Sequence, residues 1–212
     1  MKLFLSSIGI NNSEGLYKLL GKSTNIQTAL ITNAFELKSP EERKRRYDLV
    51  INNLDKLGLE LIDLDLKNYS DNTNVLKEEL SKYDFIWVTG GNVFYLRMLM
   101  QQSGFDTIIR DLVNSGIVYG GDSAGAIIIG PSLHGFERAD HIDQVSKVIY
   151  EGLGLINFVP LPHWGTEKFQ EALAQIKEDC EGKGLETVTM TDNQAILVEN
   201  DSHRLIDNPL RN

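Results

Sequence analysis

Apolar and amphipathic runs alternate along the chain from its first residues. Residues 3–6, 28–32, 61–64, 85–88 and 117–119 are short and mainly apolar, the pattern of strands buried on both faces. Helical periodicity fills the intervals. The clearest case starts at Ser39-Pro40-Glu41-Glu42, where Ser39 can cap, Pro40 suits the first turn and Glu42 completes a capping box. Its apolar face runs through Tyr47, Val50, Ile51, Leu54 and Leu57 and stops at Gly58. Residues 15–20, 74–83, 94–102 and 105–114 carry similar patterns.

Strand and helix in strict alternation imply a parallel sheet covered on both faces, an α/β fold. Beyond about residue 155 the pattern changes. Residues 155–161 read as a strand and 166–181 as a helix, and 187–190, 195–198 and 204–206 read as a closing set of strands. No repeat, low-complexity tract or linker interrupts the chain, so residues 1–212 are expected to form one domain.

Composition narrows the partners. With 42% hydrophobic and 24% charged residues, the chain has the make-up of an ordinary globular protein. No apolar run approaches the roughly 20 residues needed to cross a bilayer, and Met1–Ser6 is too short for a signal peptide. A single cysteine, Cys180, rules out an internal disulfide and suits the cytoplasm. The net charge of −9 and pI near 4.9 oppose nucleic-acid binding. The basic cluster Arg43-Lys44-Arg45-Arg46 falls within a helical pattern and reads as a solvated face.

The strongest chemical signal is Gly120-Gly121-Asp122-Ser123-Ala124-Gly125-Ala126, between Ile117-Val118-Tyr119 and Ile127-Ile128-Ile129. It contains G-x-S-x-G. A serine that must stand clear of a strand's C-terminal end needs a tight turn, and small flanking residues let the backbones pass. Ser123 is the candidate nucleophile; a glycine-rich packing turn is the plainer alternative.

A serine hydroxyl needs a base. Of the four histidines, His163 directly follows an apolar strand, where open α/β sheets place their sites. His134 and His141 lie in a polar stretch, 132–144, that reads as a loop and a candidate lid, and His203 lies in a late turn. The base in turn needs an acid to hold its tautomer. Asp192, Asp140 and Glu137 are all placed for that role, and spacing does not choose among them. Gly90 and Gly91 end a strand and, with the N–H of Ala124, make a candidate oxyanion hole.

Together, Val88-Thr89-Gly90-Gly91-Asn92, the Ser123 turn and Pro162-His163 resemble the S51 peptidases, which include dipeptidase E and, more distantly, cyanophycinase. The likeness spans essentially the whole chain. It implies a three-layer sheet between helices like that of class I glutamine amidotransferases, with Ser123 as nucleophile, His163 as base and Gly90 and Gly91 in the oxyanion segment. Asp192 falls where dipeptidase E carries a glutamate and is preferred as the acid, with Asp140 and Glu137 as alternatives. The resemblance implies a short peptide substrate and neither metal nor organic cofactor. It is compatible with a homo-oligomer and leaves the oligomeric state open. One departure stands out. Dipeptidase E has an arginine-containing segment after its histidine, tied to recognition of an N-terminal aspartate, whereas His163-Trp164-Gly165-Thr166-Glu167-Lys168 has none. The expectation is therefore a serine peptidase without a settled side-chain preference. An amide or ester hydrolase of the same fold and a binding protein without turnover are the rivals.

Other motifs carry less. Five residues lie between Gly15 and Gly21-Lys22-Ser23 where a P-loop has four, and Gly152-Leu153-Gly154 lacks the third glycine of a dinucleotide site. The histidines are too scattered for metal-site spacing. Acidic neighbours make Cys180 a poor thiolate.

Overall fold

A computed structural model describes residues 1–210. In chain order, β1 (Lys2–Ser6), α1 (Ser13–Leu20), β2 (Ile26–Ile31), α2 (Pro40–Asp55), β3 (Leu59–Asp63), α3 (Thr73–Leu80) and β4 (Phe85–Val88) alternate as expected. Two consecutive helices, α4 (Val93–Gln102) and α5 (Phe105–Asn114), lead to β5 (Val118–Asp122) and a single turn of helix, α6 (Ala124–Ile127). The remainder is β6 (Phe158–Leu161), α7 (Gln170–Gly182), β7 (Glu186–Thr189), β8 (Gln194–Glu199) and β9 (Ser202–Asp207).

The main sheet has the order β3-β2-β4-β5-β1-β8-β9. Its first five strands run parallel, and β8 and β9 close the edge antiparallel. Side chains alternate across it with the two-residue period of a strand. Leu3, Leu5, Ile86, Val88 and Tyr119 pack into one core with α4 and α5. Phe4, Phe85, Trp87 and Val118 pack into the other with Leu16 and Leu19 of α1 and Leu54 of α2. Both faces are covered, which accounts for the nearly unbroken apolar runs. None of the helices among the described residues is long and apolar enough to cross a membrane.

Three features add to or differ from the sequence reading. First, β5 extends past its apolar run through Gly120 and Gly121 to Asp122, because β1 and β4 pair with it on both sides and supply the ladder that propensity does not. Second, the apolar residues after Ser123 form only one helical turn. The carbonyls of Ile128, Ile129 and Gly130 instead accept the N–H groups of Leu153, Leu155 and Gly154. Third, the expected closing set divides. β8 and β9 join the main sheet, whereas β7 pairs in parallel with β6 in a separate two-stranded sheet.

Candidate active site

The site lies where the C-terminal ends of both sheets meet. β4, β5 and β1 are neighbours and contribute Thr89–Gly91, Ser123 and Ser7 as they end. Ser123 has φ 50° and ψ −113°, a backbone conformation costly for a residue with a side chain. Its surroundings hold it there. Its N–H donates to the Ser6 carbonyl at 3.1 Å, and the buried Tyr119 hydroxyl donates to the Gly125 carbonyl at 2.7 Å. A Cβ on Gly125 would fall 2.2 Å from the Val88 carbonyl oxygen, so the turn closes onto β4 only with glycine there.

The small sheet supplies the rest. Leu161 of β6 is opposite Thr189 of β7. Met190 N–H donates to Leu161 O and Trp164 N–H to Met190 O, both at 3.0 Å, which ties the two strand exits together. His163 and Asp192 therefore stand side by side. His163 Nδ1 lies 2.7 Å from Asp192 Oδ1, and its Nε2 lies 3.0 Å from Ser123 Oγ. The tautomer that satisfies both contacts carries its proton on Nδ1, leaving the Nε2 lone pair toward the serine hydroxyl. Phe169 stacks on the imidazole at 5.1 Å between ring centroids and limits its tilt.

Two further side chains join this chain of bonds, and the sequence reading missed both. Ser7 Oγ donates to Asp192 Oδ1 at 2.6 Å, accepts the backbone N–H of His163 at 2.8 Å and lies 3.2 Å from His163 Nδ1. Thr166 Oγ1 donates to Asp192 Oδ2 at 3.1 Å. A polar residue directly after the first strand was the available signal for Ser7. Burial is the largest influence on the Asp192 carboxyl and opposes its ionisation. The bonds from Ser7, His163 and Thr166 and the imidazole's charge outweigh it, so the pKa lies below the usual carboxylate value.

The alternative acids have other partners. Asp140 Oδ2 accepts the Val93 N–H at 2.8 Å and so caps the start of α4, and burial pushes its carboxyl up. Glu137 accepts the N–H of Gly135 within its own loop. The 132–144 stretch is partly anchored rather than free, since Leu133 and Phe136 are core residues.

The three expected oxyanion donors differ in availability. Gly90 N–H is committed to Asp122 Oδ1 at 3.0 Å, which removes it as a donor. Among the described residues, neither Gly91 N–H nor Ala124 N–H has a hydrogen-bond acceptor. Gly91 is confined to its place: a Cβ there would lie 2.1 Å from the Ala34 carbonyl oxygen. Asp122 itself is only partly accessible. Burial pushes its carboxyl up to about 6, against the lowering effect of the Gly90 and Gly9 N–H groups and of His163.

A cavity of about 420 Å³ opens beside Ser123 and His163. Asp122, Gly90, Gly91 and Ser7 line its inner end; Phe35, Trp87 and, from α2, Leu49, Val50 and Leu54 give it an apolar wall. Arg46 also reaches it, but its guanidinium is held by Glu42, with Nε and one terminal nitrogen each 3.1 Å from Oε1. Among the described residues there is no group of three or more His, Cys, Asp or Glu side chains arranged to hold a metal ion.

The fold is that of an α/β protein with a mostly parallel, flavodoxin-like sheet between helices, and the likeness to known peptidases makes it an enzyme of the peptidase class, a hydrolase. The chain matches peptidase family S51 over residues 16–206 and belongs to that family. An uncharacterized peptidase of Listeria innocua, Lin0382, is 32% identical over 149 residues, 70% of each chain. Another from Pasteurella multocida, PM1590, is 30% identical over 202 residues, 95% of each. The crystal structure of a candidate peptidase E protein from Listeria monocytogenes EGD-e superposes with a TM-score of 0.83 at 25% identity, covering 97% of this chain and 98% of that one.

Proposed function

We propose that this protein is a serine peptidase acting on short peptides through Ser123, His163 and Asp192. The observation that carries the reading is the unbroken path from Ser123 Oγ through His163 to Asp192, with contacts of 3.0 and 2.7 Å. His163 takes the serine proton as Oγ attacks the peptide carbonyl carbon, and Asp192 stabilises the resulting imidazolium. The N–H groups of Gly91 and Ala124 receive the oxyanion. His163 then returns the proton to the departing amine, leaving an ester on Ser123. Water, deprotonated by the same imidazole, hydrolyses that ester and frees the enzyme.

Peptide hydrolysis by wild type and by Ser123→Ala tests this. Loss of nearly all turnover in a variant that keeps its fold is expected; full activity in Ser123→Ala overturns the mechanism. A panel of dipeptides beside simple esters separates a peptidase from another acyl hydrolase of the same architecture. The substrate reading is supported by family membership and by a peptidase E of Streptomyces coelicolor, 27% identical over 128 residues, 58% of this chain and 51% of that protein. We place the protein in the cytoplasm, a reading supported by its one buried cysteine, whose thiol burial pushes up and away from reactivity.

A further inference from the structure

Asp122 occupies the wildcard position before the nucleophile, and the mechanism gives it no task. Three observations single it out. It lines the cavity next to Ser123. Its carboxylate is held by backbone N–H groups and not by a charged side chain: Gly90 N–H donates to Oδ1 at 3.0 Å, and the Gly9 N–H also acts on it. Among the described residues it forms no ion pair: the guanidinium lining the same cavity, Arg46, is held by Glu42, and the His163 imidazole faces Asp192. A carboxylate in a poorly solvated place without a cation costs free energy that a cationic ligand group would recover.

The position limits what that cation can be. Adjacent α-carbons are about 3.8 Å apart, so Asp122 approaches the reaction centre as closely as a neighbouring residue can. In a peptide with a free amino terminus, the α-nitrogen is two bonds from the carbonyl carbon of the first residue. An ammonium attached there is the nearest substrate cation to an attacked carbonyl.

Resting on the peptidase reading above, we infer that Asp122 anchors the free α-ammonium of the substrate. The enzyme then cleaves after the first residue and discriminates against blocked amino termini. An acetylated terminus removes the charge and leaves Asp122 desolvated opposite a neutral amide.

The test measures binding apart from turnover. Leu-Ala and N-acetyl-Leu-Ala are titrated calorimetrically into Ser123→Ala and into Ser123→Ala/Asp122→Asn near neutral pH. Asparagine keeps the acceptor for Gly90, so the local backbone is retained. The free peptide is expected to bind Ser123→Ala at least about 10-fold more tightly than the acetylated one, a ratio set by one charge-assisted hydrogen bond. In the double variant that ratio falls to near one. A purely structural role would weaken both peptides alike and leave the ratio unchanged. Equal binding of the two peptides to Ser123→Ala, no binding of either, or a ratio that survives Asp122→Asn overturns the inference. A ratio that behaves as expected, in an enzyme whose wild type cleaves no peptide, overturns the peptidase reading and leaves the anchor standing.

Discussion

Ser7 Oγ lies 2.6 Å from Asp192 Oδ1, across 185 residues of sequence. The same hydroxyl accepts the backbone N–H of His163, so one small side chain at the end of β1 fixes both the proposed acid and the main chain of the proposed base. Ser7→Ala removes a donor from Asp192 and leaves the His163 N–H without its acceptor. We expect kcat to fall about 10-fold with KM nearly constant, because a buried hydrogen bond of this kind contributes about 1–2 kcal/mol. Steady-state kinetics on one dipeptide checks this. A rise in KM at constant kcat would mean that Ser7 serves substrate binding instead.

Asp192 and Asp140 should part under the same substitution. Asp192→Asn disturbs the imidazole tautomer, and kcat is expected to drop by about 10³–10⁴ with little change in Tm. Asp140→Asn should lower Tm while kcat stays within a few-fold, since its carboxylate caps α4. Kinetics and thermal melts on both variants decide the matter. The reverse pattern would move the acid to the 132–144 loop.

Asp122 predicts an uncommon pH dependence of stability. Its carboxyl titrates near 6 in the folded protein, against 3.8 ordinarily. Between these values the folded state holds a proton that the unfolded chain has lost. The favourable contribution is complete below about pH 4 and is lost as pH rises through 6. Asp122→Asn should therefore raise stability above pH 6, by up to about 3 kcal/mol, and give no gain below pH 4. Asp192, with its lowered pKa, acts in the opposite sense and loses its contribution as pH falls. Denaturant melts of wild type and Asp122→Asn from pH 4 to pH 8 provide the check; a constant difference would refute the shift.

The cavity wall predicts an apolar preference. Leu49, Val50, Leu54, Phe35 and Trp87 line it, and its one guanidinium is engaged by Glu42. Leu-Ala and Phe-Ala should exceed Asp-Ala in kcat/KM. Leu49 is 52% exposed, so Leu49→Ala should cost little stability yet raise KM for Leu-Ala about 3–5-fold through lost apolar contact. Selective hydrolysis of Asp-Ala would show that Arg46 exchanges Glu42 for the substrate's carboxylate.

Much of this architecture was legible in the sequence because its signals are local. The runs at β1, β2 and β4 are mainly apolar, since both sheet faces are covered. The Ser39 cap marks the start of α2 within a residue, although the Glu42 carboxylate that would complete a capping box bonds Arg46 instead. Ser123 and His163 stand out as polar groups placed at strand ends among small or apolar neighbours. What could not be read depends on contacts distant in sequence. The extension of β5 through two glycines comes from its two flanking strands, and the pairing of β7 with β6 comes from a register that no local pattern encodes. Ser7 has no motif of its own until β1 is laid beside the exits of β6 and β7. Gly90 and Gly91 are alike in sequence, and only the direction of one N–H, toward Asp122, separates them. Asp122 itself was hidden in a wildcard.

The proposed nucleophile hangs from the large sheet, and its proposed base and acid follow the strands of the small one. The proposed proton path therefore crosses from one sheet to the other within a shared core, where Leu161 and Met190 belong to the same cluster as Leu5 and Val88. A slip of about 1 Å there would stretch the Ser123–His163 contact beyond useful hydrogen-bonding range without unfolding either sheet. Loss of activity ahead of global unfolding on heating is the expected signature of such a slip.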